Sequence, residues 1–363
     1  MEHLEGNTIE LEFEIEDIED NNESASADLQ KIVSYNVANT VEVLKLKIEN
    51  DEIDLKPEFQ RDFVWDINRA SLFIDSLILG LPIPSIFLGL KEDDENFMVI
   101  DGQQRLKSAY YYITGKFIAN GVESIFSLKN LKDRDWNNLT YQELDDKIKK
   151  RIRNAVINTT IIEDIDSKPT VVHDLFHRLN TGGMPLTDQE IRNCVYSGIF
   201  NSQLNELNKN EHWRNLLGTV IPDKRLRDTE LVLRFFSLLY SLSIYKPSMK
   251  IFLSDFQDEN KNNTEFISEN KRLFEETVLL ISENIGANAF KTTRAINKSI
   301  SDAIMVSIAQ ILKEGKTPTN LLENYKKLII DPEFVKYTQA GTTTPTNIKS
   351  RIDLARNYFK GLK

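Results

Sequence analysis

Asp101-Gly102-Gln103-Gln104-Arg105 joins the apolar run Phe97-Met98-Val99-Ile100 to a segment in which Leu106, Ala109, Tyr110 and Ile113 recur at helical spacing. A strand-to-helix junction of this kind suits phosphate chemistry. Gly102 permits positive φ or close approach of a ligand to the backbone, and the free N–H groups of the first helical turn face whatever lies beyond the turn. An anion fits there. Arg105 adds a planar five-donor cation matched to phosphate oxygens, and Gln103 and Gln104 add neutral groups able to orient a water or a base. Taken alone, an ordinary Asp-Gly turn followed by a solvated arginine explains the same five residues.

Other polar groups could join them. Gln60 and Arg61 stand in an apolar frame of Phe59, Phe63, Val64 and Trp65, which suits side chains held at a site, although an arginine stacked on Trp65 fits equally. Asn180-Thr181-Gly182-Gly183 follows Phe176, Arg178 and Leu179 as a helix C-cap, and the same backbone could form an anion-binding nest. In the mechanism these residues permit, Arg105 and Arg61 neutralise phosphate oxygens and the helix N-terminus beginning at Gln103 cradles one of them. Asp101 either holds a magnesium ion or polarises the attacking water, and Gln104 or Gln103 orients that water. Asp75 is a candidate supporting residue behind the site, or a solvent-facing residue of an amphipathic helix.

Positioning these groups requires a small mixed α/β domain. Thr40 can cap a helix to about Asn50, and residues 68–79 have helical spacing until Pro82 and Pro84 end that helix. Strands are expected over Ser85–Leu90 and Val156–Ile162, with a polar excursion of little regular structure over 120–138 and a charged helix from Thr140 to about Asn154. From Pro169 onward the pattern is helical, with helices expected near 169–179, 187–197, 228–245, 265–285, 294–313, 318–329 and 347–360. The fold class is therefore α+β. An acidic arm and linker over 1–30 precede an α/β domain over 31–166 and a larger all-helical domain over 167–363.

Composition narrows the function. The net charge is −11, yet eleven acids and no Lys or Arg fall within residues 1–30, so the remainder of the 363-residue chain is formally neutral. Ile9, Leu11, Phe13 and Ile15 alternate with glutamates as in a strand with one charged face, which could protect an edge or cover a phosphate-binding surface. The single Cys194 excludes an internal disulfide and any multi-cysteine zinc site, and no zinc is expected. Leu72–Leu90 is apolar but interrupted by Asp75, Gly80, Pro82 and Pro84, and no signal peptide is evident, so a cytoplasmic protein without a membrane span is expected.

Three further motifs have bland explanations. His173-Asp174-Leu175-Phe176-His177 sets two imidazoles one turn apart, without the usual glutamate or a third ligand. Gly315-Lys316-Thr317 reads as a helix end, since Gln310 stands where a P-loop needs glycine. Thr342-Thr343-Thr344-Pro345-Thr346-Asn347 reads as a helix cap, with Arg351 one turn in.

PEFQRDFVW with IDSLILGLPIPSIFL, then VIDGQQRLKSAYYYITG, then FHRLNTGGMPLTDQEIRNCVYSG resemble, in order and spacing, the GmrSD-type N-terminal domain, also catalogued as domain of unknown function 262. The resemblance covers about residues 35–215, and RLRDTELVLRFFSLL looks like its helical continuation. It implies a ParB/sulfiredoxin-like nucleotide-binding fold with a helical extension, acting in phage-defence restriction of modified DNA. It also implies that DGQQR binds and hydrolyses nucleoside triphosphates, with Mg2+ as the accompanying cofactor. Relatives cut DNA through a fused His-Asn-His nuclease domain or a separate nuclease subunit, and the four histidines here (His3, His173, His177, His212) offer no such pattern. The expected function is thus an NTP-hydrolysing component of a modification-dependent restriction system that lacks its own nuclease domain. Its expected partners are a nucleoside triphosphate, modified DNA, a separate HNH-type nuclease subunit and further copies of itself. The alternative is a DNA-binding or nucleotide-sensing regulatory subunit without turnover, whose DNA contact would need a local basic patch such as Lys147, Lys149, Lys150, Arg151 and Arg153. A scaffold that has lost activity is the third reading.

Overall fold

The apolar runs flanking DGQQR condense into a five-stranded mixed sheet in the computed structural model. It describes residues 11–14, 33–55, 65–91, 96–119, 122–163, 165, 175, 186–196, 198–291 and 293–362. Their first elements are β1 (Ser34–Thr40), α1 (Val41–Glu49), β2 (Ile53–Asp54), α2 (Ile67–Leu79), β3 (Ile86–Leu90), β4 (Phe97–Asp101), α3 (Gln103–Thr114), β5 (Lys116–Ala119), β6 (Val122–Ile125), α4 (Asp146–Asn154) and β7 (Val156–Ile162). The sheet order is β1-β7-β3-β4-β2, with β3 antiparallel to β4 and parallel to β7. Ile86, Leu88, Val99 and Ile157 of the sheet share one core with Ile74, Leu77 and Ile78 of α2 and with Leu106 and Tyr112 of α3. Helix lengths are set by local chemistry. The Thr40 hydroxyl accepts from Val43 N to start α1, Asp66 accepts from Arg69 N at 2.8 Å to start α2, and Gly80 in the left-handed region ends α2.

Two expectations need correction here. The charged helix starts at Asp146, not at Thr140, because Glu143 accepts from both the N–H and the hydroxyl of Thr140 while the Asp145 carboxylate caps Lys147 and Ile148. The polar excursion is also more ordered than its composition suggests. It contains strand β6, which pairs with β5, buries Phe126, Leu128 and Leu131, and is fastened to α2 by the bond from Lys129 N to Ser71 Oγ at 2.9 Å.

The chain divides into two compact units, one of Glu23–Leu186 with Asn193–Val195 and the other of Met1–Asn22, Thr187–Arg192 and Tyr196–Lys363. The described residues after Leu186 are mostly helical. They form α5 (Asp188–Val195), α6 (Ile199–Leu207), α7 (Glu211–Leu217), α8 (Arg227–Ser241), α9 (Met249–Asn260), α10 (Thr264–Asn284), α11 (Lys298–Lys313), α12 (Leu321–Leu328), α13 (Pro332–Gln339) and α14 (Pro345–Phe359). Four of these, α6, α7, α9 and α13, are not evident from sequence periodicity. The helix expected near 169–179 lies outside the described residues except at Leu175.

In the helical unit α11 is buried almost throughout, and its Asp302 ties α8 and α14 together. Arg234 grips Asp302 with two donors at 3.0 and 2.7 Å, and Arg351 adds a third at 2.9 Å. Arg351 is thus an internal strut, and Thr344 caps α14 by accepting from Asn347 N, as the helix-cap reading of this loop expects. The acidic N-terminal stretch also belongs to this unit where it is described. Leu11 is buried, Phe13 pairs with Ile296, and the Arg227 guanidinium lies 5.0 Å over the Phe13 ring. Among the described residues no helix is long and apolar enough to cross a membrane.

Glu230 of α8 meets Arg192 and Lys298, the latter at 2.8 Å. Burial would push its carboxyl up, but Lys298, Arg192 and Arg234 together outweigh that and hold it down at about 2. Because the folded value lies below the ordinary 4.5, the stabilisation is complete above that pH and is lost as the pH falls towards about 2. Acid unfolding followed by far-ultraviolet circular dichroism is expected in this window. Glu230→Gln should flatten the pH dependence there while lowering stability at neutral pH, and an unchanged acid slope would refute the assignment.

Candidate functional site

β4 delivers Asp101 to the end of the sheet, where Gly102 turns the chain with φ 96° and ψ 9° and opens α3 with no side-chain cap. Only glycine fits. A Cβ at Gly102 would stand 2.4 Å from Ile86 Cγ2 and 2.9 Å from Ile86 Cβ, besides straining a left-handed backbone. The close approach of β3 and β4 thereby fixes where the helix N-terminus emerges, and the Gly102 carbonyl accepts from Leu106 N at 3.0 Å to begin the helical ladder.

Arg105 folds back over this turn. Its Nη2 donates to Asp101 Oδ2 in an ion pair and to the Ser85 carbonyl at 3.3 Å, leaving the arginine side chain 16% and the aspartate 29% exposed. Gln104 turns the other way, its Oε1 accepting from Trp65 N at 3.1 Å, so the start of α3 is tied to the residue that precedes the Asp66 cap. Gln103 Nε2 and Arg105 Nε are buried and lack a hydrogen-bond partner among the described residues. Two orphaned buried donors at an uncapped helix N-terminus are a costly arrangement without a ligand and a natural one with an acceptor-rich ligand.

Geometry therefore brings Asp101, Gly102, Gln103, Gln104 and Arg105 into one site. Gln60, Arg61, Asn180, Thr181 and Gly182 lie outside the described residues, as do His173 and His177. Among the described residues Arg69 stands over Trp65, with its Cζ 5.0 Å from the ring centroid. Asp75 has structural partners: its Oδ1 accepts from Arg134 Nε at 3.1 Å and Trp136 Nε1 at 2.8 Å, holding the 126–140 segment against α2. Among the described residues no cluster of three or more His, Cys, Asp or Glu could hold a metal ion. A magnesium ion at Asp101 would consequently depend on substrate phosphates for most of its ligands.

Two participants are not evident from the sequence: Trp65 and Ser85 act through backbone atoms, which carry no signature of residue type.

Gly102→Ala is expected to destabilise the α/β unit by about 1–3 kcal/mol, through overlap with Ile86 and the left-handed φ, as read by chemical denaturation. Asp75→Ala should cost about 1–3 kcal/mol by removing the acceptor of the part-buried Trp136 N–H and of Arg134. It should leave ligand binding at Arg105 intact, and selective loss of binding in a stable Asp75 variant would show that this residue serves the site.

Residues 41–197 match the family model described as GmrSD restriction endonuclease, N-terminal domain. No curated protein and no solved structure matches the chain significantly. The match spans α1 through α5 and encloses the whole DGQQR turn. The segment that carries the site, residues 41–197, therefore belongs to the GmrSD N-terminal domain family.

Proposed function

We propose that this chain is a nucleoside-triphosphate-binding and -hydrolysing component of a modification-dependent restriction system, with DNA cleavage supplied by a separate nuclease subunit. Family membership supports the restriction and defence context. The observation that carries the nucleotide reading is the pair of buried donors without a partner among the described residues, Gln103 Nε2 and Arg105 Nε, at the N-terminus of a helix with no side-chain cap. Phosphate oxygens are acceptors only, and they would satisfy all of these at once.

Mechanistically, Arg105 would contact the phosphates through donors not already given to Asp101 and Ser85, and Asp101 would fix its planar fork. Gln103 reaches the same ligand by its amide. Gln104, whose Oε1 accepts from Trp65 N, would orient a water through its amide. Magnesium bound with the triphosphate would spread negative charge off the transferring phosphoryl group, and Asp101 is the side chain that would hold it. The ion pair with Arg105 requires Asp101 to share its carboxylate between the two cations.

A regulatory reading without turnover has one observation in its favour. Lys147, Lys150, Arg151 and Arg153 of α4 are exposed, and none forms an ion pair among the described residues, so they could meet a DNA backbone. Phosphate release from each triphosphate, with and without magnesium and modified DNA, separates the readings. The proposal expects magnesium-dependent release that falls by about two orders of magnitude or more in Asp101→Ala and Arg105→Ala. Equal rates in wild type and both variants would overturn it, and binding with no release would favour the regulatory reading.

A further inference from the structure

A concave site lies elsewhere on the same unit. A cleft of about 430 Å³ opens between the C-terminal end of α1, strand β2, the start of β4 and the later part of α3. Its size falls within the range of small-molecule pockets. Phe97, Tyr110 and Tyr111 make an aromatic wall, and Asp51, Asp54, Lys91 and Asn96 supply the polar groups.

The cleft is separate from the DGQQR turn. Tyr110 is five residues beyond Arg105, which on an α-helix is about 7.5 Å further along the axis and about 140° round it. Phe97 and Asp101 stand at opposite ends of β4, about 13 Å apart along the strand. A ligand in one place need not touch the other.

The polar groups select the ligand. Carboxylates only accept, so Asp51 and Asp54 on the cleft wall favour a ligand rich in donors over a phosphate. A bare metal ion is poorly served, since no group of three or more ligating side chains exists among the described residues. An aliphatic chain would desolvate four charged or amide groups without pairing them. A flat ring with an exocyclic amino group fits each wall. Its face lies against the aromatic side chains, its amine donates to a carboxylate, and its ring nitrogens or carbonyl accept from Asn96 or Lys91.

The surrounding backbone is set up to hold these groups. Asp51 leaves α1 in the left-handed region at φ 60°, a conformation uncommon outside glycine but tolerated by aspartate, and its N–H bonds to the Ile48 carbonyl. Phe97 N donates to Glu52 O at 2.7 Å while Lys47 Nζ stands 5.2 Å from the ring, fixing the aromatic floor. Lys91 N donates to Asn96 O at 3.0 Å and keeps those two residues opposite each other.

We propose that this cleft binds a nucleobase bearing an exocyclic amino group, independently of the DGQQR turn, either as a free nucleoside or within a single strand. The test uses the full chain with adenosine and cytidine as probes, thymidine as the ring without an exocyclic amine, and short oligo-dA and oligo-dT as the strand-borne counterparts. Equilibrium dialysis should show binding of the amino-bearing members of either set. Asp51→Asn should weaken that binding about tenfold or more, while Arg105→Ala leaves it unchanged. Asn96→Ala, checked for native circular dichroism, gives a second variant expected to weaken the same ligands. Binding of nucleosides alone or of oligonucleotides alone would identify the source and support the site. No binding in either set, equal binding of thymine-containing ligands, or affinity indifferent to Asp51 and Asn96 would overturn the proposal. Since Arg105→Ala abolishes only the triphosphate function, failure of the two assignments is distinguishable.

Discussion

The contact on which the site depends is the packing of Gly102 against Ile86. Strands β3 and β4 approach so closely at this point that no side chain can be tolerated on the turning residue. That approach determines where α3 begins, and therefore where its free N–H groups, Gln103, Gln104 and Arg105 all emerge. A larger residue would have to move Ile86, which sits fully buried in the shared core of the sheet and helices. The geometry of the polar groups is thus held by apolar packing, a stiffer constraint than any of the hydrogen bonds at the surface of the turn.

Both units bury charge in ion pairs. In the helical unit, Asp302 is gripped by Arg234 and Arg351, and Glu230 by Arg192 and Lys298, so charge that would be costly in isolation serves to lock helices in register. At DGQQR the arginine is matched only in part. Asp101 and Ser85 engage one terminal nitrogen while Arg105 Nε and Gln103 Nε2 remain orphaned. Unsatisfied donors lower stability in the free state, and at DGQQR this cost is what a bound acceptor would recover.

Much of this was legible in the residues because it rests on local rules. Thr40 as a cap, the end of α2 at Gly80, the strand ending at Asp101 and the helix starting at Gln103 each follow from capping, glycine freedom or periodicity acting over a few positions. The misses have non-local or competing causes. Glu143 captures Thr140 and delays α4, a choice that helical spacing cannot reveal. Asp75 looks like a free carboxylate in sequence, yet Arg134 and Trp136, some sixty residues away, consume it. Trp65 and Ser85 enter the site through backbone atoms, for which sequence offers no cue. The pairing of Arg105 with Asp101 was open to view at i,i+4 spacing, and it revises the division of labour between a phosphate-binding arginine and an independent acidic residue.

The central claim is that the orphaned donors of Gln103 and Arg105 belong to a triphosphate. Its most direct test is calorimetric binding of a non-hydrolysable nucleoside triphosphate to the full chain, compared among wild type, Gln103→Ala and Arg105→Ala, each verified as folded. Binding should be evident in wild type, weakened about tenfold in Gln103→Ala and lost in Arg105→Ala. Equal affinity in all three proteins would contradict the account.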